Sequence, residues 1–376
     1  MIEYRIAHPE ERQAYIDFAN MVFRGVGTDI DFAQALPKVY GSDMETSGMQ
    51  LLAVDDRLGI RGLVAVQPGR LHTPDRTLKT GFVGTVSVHP EARGEGHMKV
   101  LMTRQIAAAR ANGTDLLLLG GQRQRYEYFG FALGGMRYRA EVSADCVRHA
   151  LRDTCAKEIG FAEILPGSEL EQQAMALHDA RSCRFDRSVP GFAVVCRSYG
   201  YVPWGAVQGD RFIGYLAASR DGVHAADAAA VDEEALKGML KAWIGQQRLA
   251  GMTLDVTPAD RMQLRSLCRW AEQVTYGPCL SARILRYAPV IDALLRLKSR
   301  WMRLADGEMR LCCEGEALII RVTDGHPEVI PVREAGTDFV RLDALEAGRL
   351  LLDSFSEGAP EGWFPLPLCV QEPDAF

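Results

Sequence analysis

Apolar positions in the first 145 residues follow the order of an α/β domain. A short strand over Glu3–Ala7 precedes a helix over Pro9–Phe23, in which the apolar side chains recur on one face. Further strands, bounded by turn residues, surround a long helix over Met98–Ala111 that is rich in Ala, Leu and Met. These strands are predicted at Gln50–Val54, Arg61–Pro68, Lys79–Val88, Asp115–Leu119 and Met136–Glu141. We therefore predict one α/β domain over residues 1–145.

A similar strand and helix rhythm returns in the middle of the chain. Strands at Phe212–Ser219 and Ala228–Val231, a helix at Asp232–Leu249 and a strand at Met252–Val256 predict a second α/β unit over residues 146–284.

The pattern changes again from Ile284. Helices and three short alternating strands predict a small α+β domain over residues 285–376. The helices are predicted at Val290–Arg303 and Leu342–Leu351, and the strands at Gly307–Cys313, Ala317–Val322 and Gly325–Val332.

Composition narrows the class of protein. The chain has 376 residues, 47% of them hydrophobic, so it can bury a large core without covalent cross-links. It contains no run of about 18 apolar residues, and its first residues lack the pattern of a secretory signal. The nine cysteines form no C-x-x-C pair, and the eight histidines show no metal-ligand spacing. We therefore expect a reduced, cytoplasmic protein without a membrane span or a bound metal. The net charge of −6 argues against nucleic acid as the main partner.

The most informative stretch lies between the strand Lys79–Val88 and the long helix. It contains the run Arg93-Gly94-Glu95-Gly96-His97-Met98. Glycines allow positive φ and close approach of a ligand, and the first N–H groups of a helix have no intrahelical acceptor. Such a loop is suited to bind a pyrophosphate. It lacks the Gly-Lys-Ser/Thr of a Walker loop and the third glycine of the Rossmann fingerprint.

Two motifs carry a resemblance to a known superfamily. Arg93-x-x-Gly96-x-Met98 resembles the Q/R-x-x-G-x-G/A acyl-CoA loop of the GNAT superfamily of N-acetyltransferases, with Met98 in place of a small residue. The run Tyr126–Phe131 resembles the superfamily's Y-x-x-F-G-F element after the fifth strand. Two GNAT-like mixed-sheet units, the second without the loop, and a small α+β domain together resemble the enhanced intracellular survival (Eis) acetyltransferases. The last domain of that family is similar to a sterol carrier protein.

The resemblance implies acetyl-CoA as the acyl donor. Backbone groups of the fourth strand, the glycine loop and the turn after the fifth strand are the implied contacts. We expect Arg93 to contact a phosphate and His97 to contribute only its backbone N–H. The implied contact residues are Val86, Ser87, Val88, Arg93, Gly94, Glu95, Gly96, His97, Met98, Gly121 and Gln122.

The resemblance also implies two proton-transfer groups. Tyr126 is the expected general acid, with Tyr128 as its rival. The carboxylate of the C-terminal Phe376 is the expected general base, and Asp374 or Glu372 could serve instead. A base is needed because a primary amine is mostly protonated at neutral pH and must lose a proton before it attacks.

We therefore expect direct acetyl transfer to a primary amine of a polyamine-like or aminoglycoside-like molecule, or to a lysine side chain. A non-catalytic acyl-CoA-binding or lipid-binding sensor is the alternative, since the same loop and tail domain would serve binding alone. Asp29 and Asp31 are candidates to contact a cationic acceptor. The family resemblance further implies a homohexamer.

Overall fold

Three β-sheets organise the computed structural model, which describes residues 2–25, 27, 30–354 and 357–376. In these ranges the first sheet has eight strands, the second seven and the third four. The strands are β1 (Glu3–Ile6), β2 (Gln50–Asp55), β3 (Gly59–His72), β4 (Thr77–Val88), β5 (Leu116–Leu119), β6 (Ala132–Gly134), β7 (Arg137–Ser143), β8 (Ile159–Glu163), β9 (Arg184–Phe185), β10 (Val202–Gln208), β11 (Arg211–Ala218), β12 (His224–Ala230), β13 (Gly251–Val256), β14 (Gln273–Gly277), β15 (Leu280–Ile284), β16 (Gly307–Cys313), β17 (Glu316–Thr323), β18 (His326–Val332) and β19 (Val340–Leu342).

The α-helices connect the strands and cover the sheets. Across the described ranges they are α1 (Arg12–Arg24), α2 (Phe32–Ala35), α3 (Pro37–Tyr40), α4 (His97–Ala111), α5 (Arg123–Glu127), α6 (Ala144–Ala150), α7 (Glu169–Asp179), α8 (Phe192–Cys196), α9 (Glu233–Gln246), α10 (Arg261–Trp270), α11 (Tyr287–Ser299) and α12 (Ala344–Leu352). None of the helices in these ranges is long and apolar enough to cross a membrane.

The first sheet is built around the long antiparallel hairpin of β3 and β4. Its strand order is β1-β2-β3-β4-β5-β15-β6, and β9 pairs with β3 outside this path. Helix α4 connects β4 to its parallel neighbour β5, as a parallel pair requires a crossover. Leu101 and Met102 of α4 share an apolar cluster with Val64, Val83 and Leu117 of the sheet. The packing of α4 on β4 therefore fixes where the connecting loop emerges.

Two strands cross between the first and second sheets. Strand β7 pairs with β13 and β14 in the second sheet, whereas β15 pairs with β5 and β6 in the first. The divisions predicted at residues 145 and 284 therefore do not coincide with the edges of the sheets. Backbone pairing between distant segments decides sheet membership here, and a local sequence pattern carries no information on it.

The second sheet repeats part of the arrangement of the first. Its order is β14-β7-β13-β12-β11-β10-β8, and α9 connects the parallel strands β12 and β13 as α4 connects β4 and β5. The connection before α9 is short and has no glycine loop. Instead, the side chain of Asp232 accepts a hydrogen bond from the N–H of Ala235 at 2.8 Å. A carboxylate therefore already occupies the N-terminus of α9.

The third sheet shares its core with the first. It has the order β18-β17-β16-β19 and packs with α11 and α12. One apolar cluster contains Phe82 of β4, Leu294 of α11, Leu318 of β17, Trp363 and the C-terminal Phe376. The segment after α12 thus returns to the first sheet, and the end of the chain is buried there.

A buried histidine makes the stability of the second unit dependent on pH. His178 of α7 is fully buried; its Nε2–H donates to the Phe185 carbonyl at 2.8 Å, and Nδ1 has no partner within the described residues. Burial, aided by the charges of Arg187 and Arg181, lowers the pKa of His178 to about 3. The folded protein therefore binds fewer protons than the unfolded chain between about pH 6.5 and pH 3. Its free energy of unfolding decreases as the pH is lowered through that window.

We predict that His178→Gln, which keeps a donor for Phe185, reduces this loss. Between pH 7.5 and pH 5.0 the free energy of unfolding of the wild type should fall by about 2 kcal/mol more than that of the variant. Urea unfolding at the two pH values measures this difference. The exposed His326→Gln should behave like the wild type. Equal pH dependence in all three proteins would contradict the assignment.

Candidate active site

A cleft in the first sheet begins where β4 and β5 separate. Their parallel pairing runs from Thr80 and Leu116 to Val83 and Leu119, where β5 ends while β4 continues to Val88. The backbone groups of residues 84–88 that face this side have no strand partner in the described chain, and they need a hydrogen-bonding partner or solvent. A cleft of about 760 Å³ opens beside them. An extended ligand could therefore pair with β4 here.

A β-bulge in β4 sets the direction of the side chains in this segment. The register between β3 and β4 shifts here, and Thr85 has a φ of 46°. Val86 and Val88 line the cleft, whereas Ser87 is buried and its hydroxyl donates to the Thr85 carbonyl at 2.9 Å. Of the three strand residues expected from sequence, Ser87 thus offers only its backbone to the cleft.

The glycine loop lies at one end of the cleft, at the start of α4. Gly94 and Gly96 have φ values of 88° and 84°, and a Cβ atom on either would meet no atom within 4 Å. The N–H of Val100 donates to the Gly96 carbonyl, so the N–H groups of His97, Met98 and Lys99 in the first turn of α4 are available to an anion. In the loop itself, the N–H groups of Arg93 and Glu95 donate to backbone carbonyls at 3.4 Å. The exposed guanidinium of Arg93 forms no hydrogen bond or ion pair with another described residue. The loop therefore fits a diphosphate.

A polar network fixes this loop from behind. The imidazole of His97 is buried, with Nε2 2.9 Å from a Glu95 oxygen and Nδ1 2.8 Å from the Tyr4 hydroxyl. Arg61 donates to Glu95 at 2.9 Å and also pairs with Asp55. The hydrogen bond from His97 and the charge of Arg61 lower the pKa of Glu95. The carboxylate of Glu95 is thus paired with two partners, which reduces its repulsion of an anion at the loop.

The opposite wall of the cleft follows β5. Gly121 has a φ of 146°, and a Cβ atom there would lie 2.8 Å from the ring of Tyr126. Gln122 lines the cleft beside it and precedes α5. The Tyr126 ring is 9% exposed, and its hydroxyl has no hydrogen-bond partner among the described residues. Burial raises the pKa of Tyr126, so its phenol stays protonated at neutral pH. A free phenol O–H therefore stands in the cleft as a possible proton donor.

The rival Tyr128 occupies a different environment. It lines the outer part of the cleft, is 66% exposed, and has the Lys99 ammonium 5.3 Å from its ring centre. The position of Tyr128 is therefore open rather than enclosed, and it suits contact with the surface of a large ligand. Val22 and Phe23 of α1 close the cleft from the other side, and sequence analysis did not select them as site residues.

The C-terminal Phe376 lies beside the cleft rather than among the side chains that line it in the described chain. Its ring packs on the backbone of Gly84, where a Cβ atom would come within 2.5 Å of the ring. The ring centre is 6.0 Å from that of Tyr40. The end of the chain therefore meets β4 just before the segment that contains Val86 and Val88.

The alternative carboxylates of the tail are already engaged. Asp374 accepts two hydrogen bonds of 2.8 Å from Arg187, and Glu372 accepts one of 2.8 Å from the Tyr201 hydroxyl. Both carboxylates are therefore held by partners outside the cleft.

Of the two aspartates predicted to contact a cationic acceptor, Asp31 lies within the described residues. Asp31 accepts a hydrogen bond from the N–H of Ala33 and caps α2. Asp29 lies outside the described residues. The contact of Asp29 with an acceptor therefore stays a prediction.

Sequence analysis missed the residues that bind the tail. The ammonium of Lys38 donates to the carbonyls of Pro373 and Ala375, and Arg187 binds Asp374 and Asp227. These are single charged residues in distant segments, so no periodicity or spacing marks them. The mixed composition around Arg187 gave no local signal either.

The corresponding position of the second sheet is filled by the protein itself. Strands β12 and β13 also part early, after Ala225 and Leu254. Beyond that point the carbonyl of Ala228 accepts hydrogen bonds from Arg181 and from Gln263. The carboxylate of Asp232 at the start of α9 disfavours an anion there as well.

Comparison with known proteins gives the class. Residues 3–134 match the family model described as "Acetyltransferase (GNAT) domain". A search of curated proteins found no match. The match covers the cleft, the loop and the Tyr126 element, and it confirms the GNAT resemblance for this part of the chain. The chain thus carries a GNAT acetyltransferase domain over residues 3–134, within a mixed α/β fold.

Solved structures are similar over nearly the whole chain. A GCN5-related N-acetyltransferase from Kribbella flavida has a TM-score of 0.64 at 16% identity, covering 93% of this chain and 88% of its own. One from Anabaena variabilis has a TM-score of 0.63 at 16% identity, covering 94% and 91%. Eis1 from Mycobacterium abscessus has a TM-score of 0.60 at 16% identity, covering 94% and 89%. At this identity the likeness concerns the fold, and it includes an Eis protein.

The contact between Gly121 and Tyr126 generates a matched pair of variants. Gly121→Ala places a methyl group against the ring and strains the backbone, so Tyr126 must move. We predict that kcat for acetyl transfer falls by at least about tenfold, because displacement of a reacting group by a fraction of an ångström is costly.

The control is the neighbouring Gly120→Ala, which has open space around its Cβ position and no positive φ. It should retain nearly the wild-type kcat. Thermal unfolding of both variants separates a local displacement from loss of the fold. Equal rates for the two variants would show that the position of Tyr126 does not matter.

Proposed function

We propose that the protein transfers the acetyl group of acetyl-CoA to a primary amine. The observation that carries this proposal is the single cleft that joins three features: free N–H groups at α4, an unpaired β4 segment and the Tyr126 hydroxyl. A diphosphate would bind the loop from Arg93 to Met98, and the pantetheine arm would pair with Val86–Val88. The thioester then lies between β4 and Tyr126.

Direct transfer needs positioning and two proton movements. A backbone N–H of the Val86–Val88 segment would stabilise the oxyanion that forms as nitrogen attacks the carbonyl. The phenol of Tyr126, which burial keeps protonated, would donate the proton of its unpaired hydroxyl to the departing thiolate. The carboxylate of Phe376 would take the proton from the amine. Since Asp374 and Glu372 are engaged elsewhere, the terminal carboxylate is the more suitable base in the tail.

The acceptor class follows from the chemistry of the reaction. A primary amine of a polyamine-like or aminoglycoside-like molecule, or a lysine side chain, would approach from the side of Val22 and Phe23. The net charge of −6 suits a cationic acceptor. No contact in the structure selects among these amines.

The Eis resemblance extends the proposal to the rest of the chain. We assign residues 285–376 as a domain of sterol-carrier-like form. Its role would be to deliver the C-terminus rather than to carry a lipid, since a fold does not fix its ligand. A cytoplasmic homohexamer is the assembly that the resemblance implies. Size-exclusion chromatography with light scattering would test it.

Calorimetry and a turnover assay test the proposal itself. Titration with acetyl-CoA should give heat and saturation, and thiol release should appear with at least one member of a panel of spermidine, an aminoglycoside and a lysine peptide. Fragments of acetyl-CoA that lack the diphosphate should bind more weakly, because the N–H groups of the loop then have no anion to bind. Absence of heat with acetyl-CoA would reject the proposal.

Two variants separate the proton-transfer groups. A semisynthetic protein ending in the Phe376 carboxamide keeps the ring but loses the charge, and Tyr126→Phe keeps the ring but loses the hydroxyl. Each should lower kcat by about 100-fold or more while the dissociation constant of acetyl-CoA stays within about threefold.

The matched control for the terminus is Phe376→Leu, which changes the ring but preserves a carboxylate. It should retain far more activity than the carboxamide. Full activity with a blocked terminus would remove Phe376 from the mechanism, and unchanged kcat in Tyr126→Phe would remove the phenol.

A further inference from the structure

The last six residues are held by contacts from two different units. From the first unit, the buried ammonium of Lys38 donates to the carbonyls of Pro373 at 2.6 Å and Ala375 at 2.5 Å. From the second, Arg187 donates to both oxygens of Asp374 at 2.8 Å. The backbone on both sides of residue 374 is thus fixed, immediately before Phe376.

The contact with Arg187 belongs to a buried ionic cluster of the second unit. Arg187 is fully buried and also donates to Asp227 at 2.7 Å, while Arg181 donates to Asp227 at 2.9 Å and to Gln371 at 3.1 Å. The nearby cations keep the pKa of Asp227 well below its usual range. Buried charges are tolerated only when paired, so the cluster requires the carboxylate of the tail as much as the tail requires the cluster.

We propose that Lys38 and Arg187 are positioning residues that hold the C-terminus of the chain at β4 for acetyl transfer. Through Arg187, the second unit, whose own strand gap is closed by Arg181 and Gln263, acts on the active site of the first. The inference rests on the proposed role of the Phe376 carboxylate as the base.

Lys38 can hold the C-terminal tail without a positive charge. Burial lowers the pKa of Lys38 to about 7, with the charge of Asp374 opposing the shift. A neutral amine still has two N–H donors, and two carbonyls accept from it. The tail is therefore held on both sides of neutral pH. The groups that face Lys38 electrostatically are Asp374, Arg187 and Cys196.

Carboxypeptidase A tests the inference without relying on activity, because it removes an accessible C-terminal phenylalanine. In the full-length protein, Lys38→Met removes the two hydrogen bonds at similar side-chain length, and Asp374→Asn weakens the pair with Arg187 at nearly constant volume. We expect intact-mass spectrometry to show loss of Phe376 at least about tenfold faster in each variant than in the wild type. The exposed Lys157→Met serves as the control and should match the wild type.

Kinetics on the same proteins complete the test. Both variants should lower kcat by about tenfold or more, with the KM for acetyl-CoA within about threefold, because only the base is displaced. Faster digestion with unchanged kcat would uphold the holding of the tail and reject the carboxylate as the base. Digestion no faster than in the wild type, in variants that circular dichroism shows to be folded, would overturn the inference. Asp374→Asn guards against misfolding of Lys38→Met, since it changes a different contact of the tail and leaves Lys38 in place.

Discussion

The early parting of β4 and β5 is the constraint on which the active site depends. Once pairing stops at Val83 and Leu119, the backbone of β4 keeps donors and acceptors that the protein does not satisfy on that side. The bulge at Thr85 and the close packing of Phe376 on Gly84 both lie where this gap begins. An acyl-CoA arm that completes the strand would satisfy those groups, so binding and placement of the thioester follow from one geometric feature.

Local chemistry made the first unit predictable from sequence. The run from Arg93 to Met98, the turn at Gly121 and the Tyr126 element are short motifs whose conformations depend on glycines and neighbouring residues. The predicted helix Met98–Ala111 and strand Lys79–Val88 agree with α4 and β4 to within two residues at each end. Residues that favour a helix and a glycine just beyond its end determine an element such as α4 with little help from the rest of the chain.

Sheet membership and the tail contacts could not be predicted in the same way. The strand predicted at Met136–Glu141 exists as β7, but it pairs with β13, more than a hundred residues later in the chain. Strand β15 and the residues Lys38 and Arg187 likewise depend on partners far away in sequence. A charged residue in an irregular segment normally indicates solvent exposure. Burial of Arg187 reverses that expectation only because Asp227 and Asp374 come from elsewhere.

The contrast between the two units indicates that they have different roles. Both units have parallel strands that separate and a helix that begins beside the gap. In the second unit, however, Asp232 and the side chains of Arg181 and Gln263 bind backbone groups that an acyl-CoA would need. Filling a gap with buried charges is costly unless every charge is paired. Arg187 pairs with Asp227 of its own unit, and Asp374 of the tail supplies its second carboxylate. The second unit can thus act on the first through the tail, although its own gap is occupied by its own side chains.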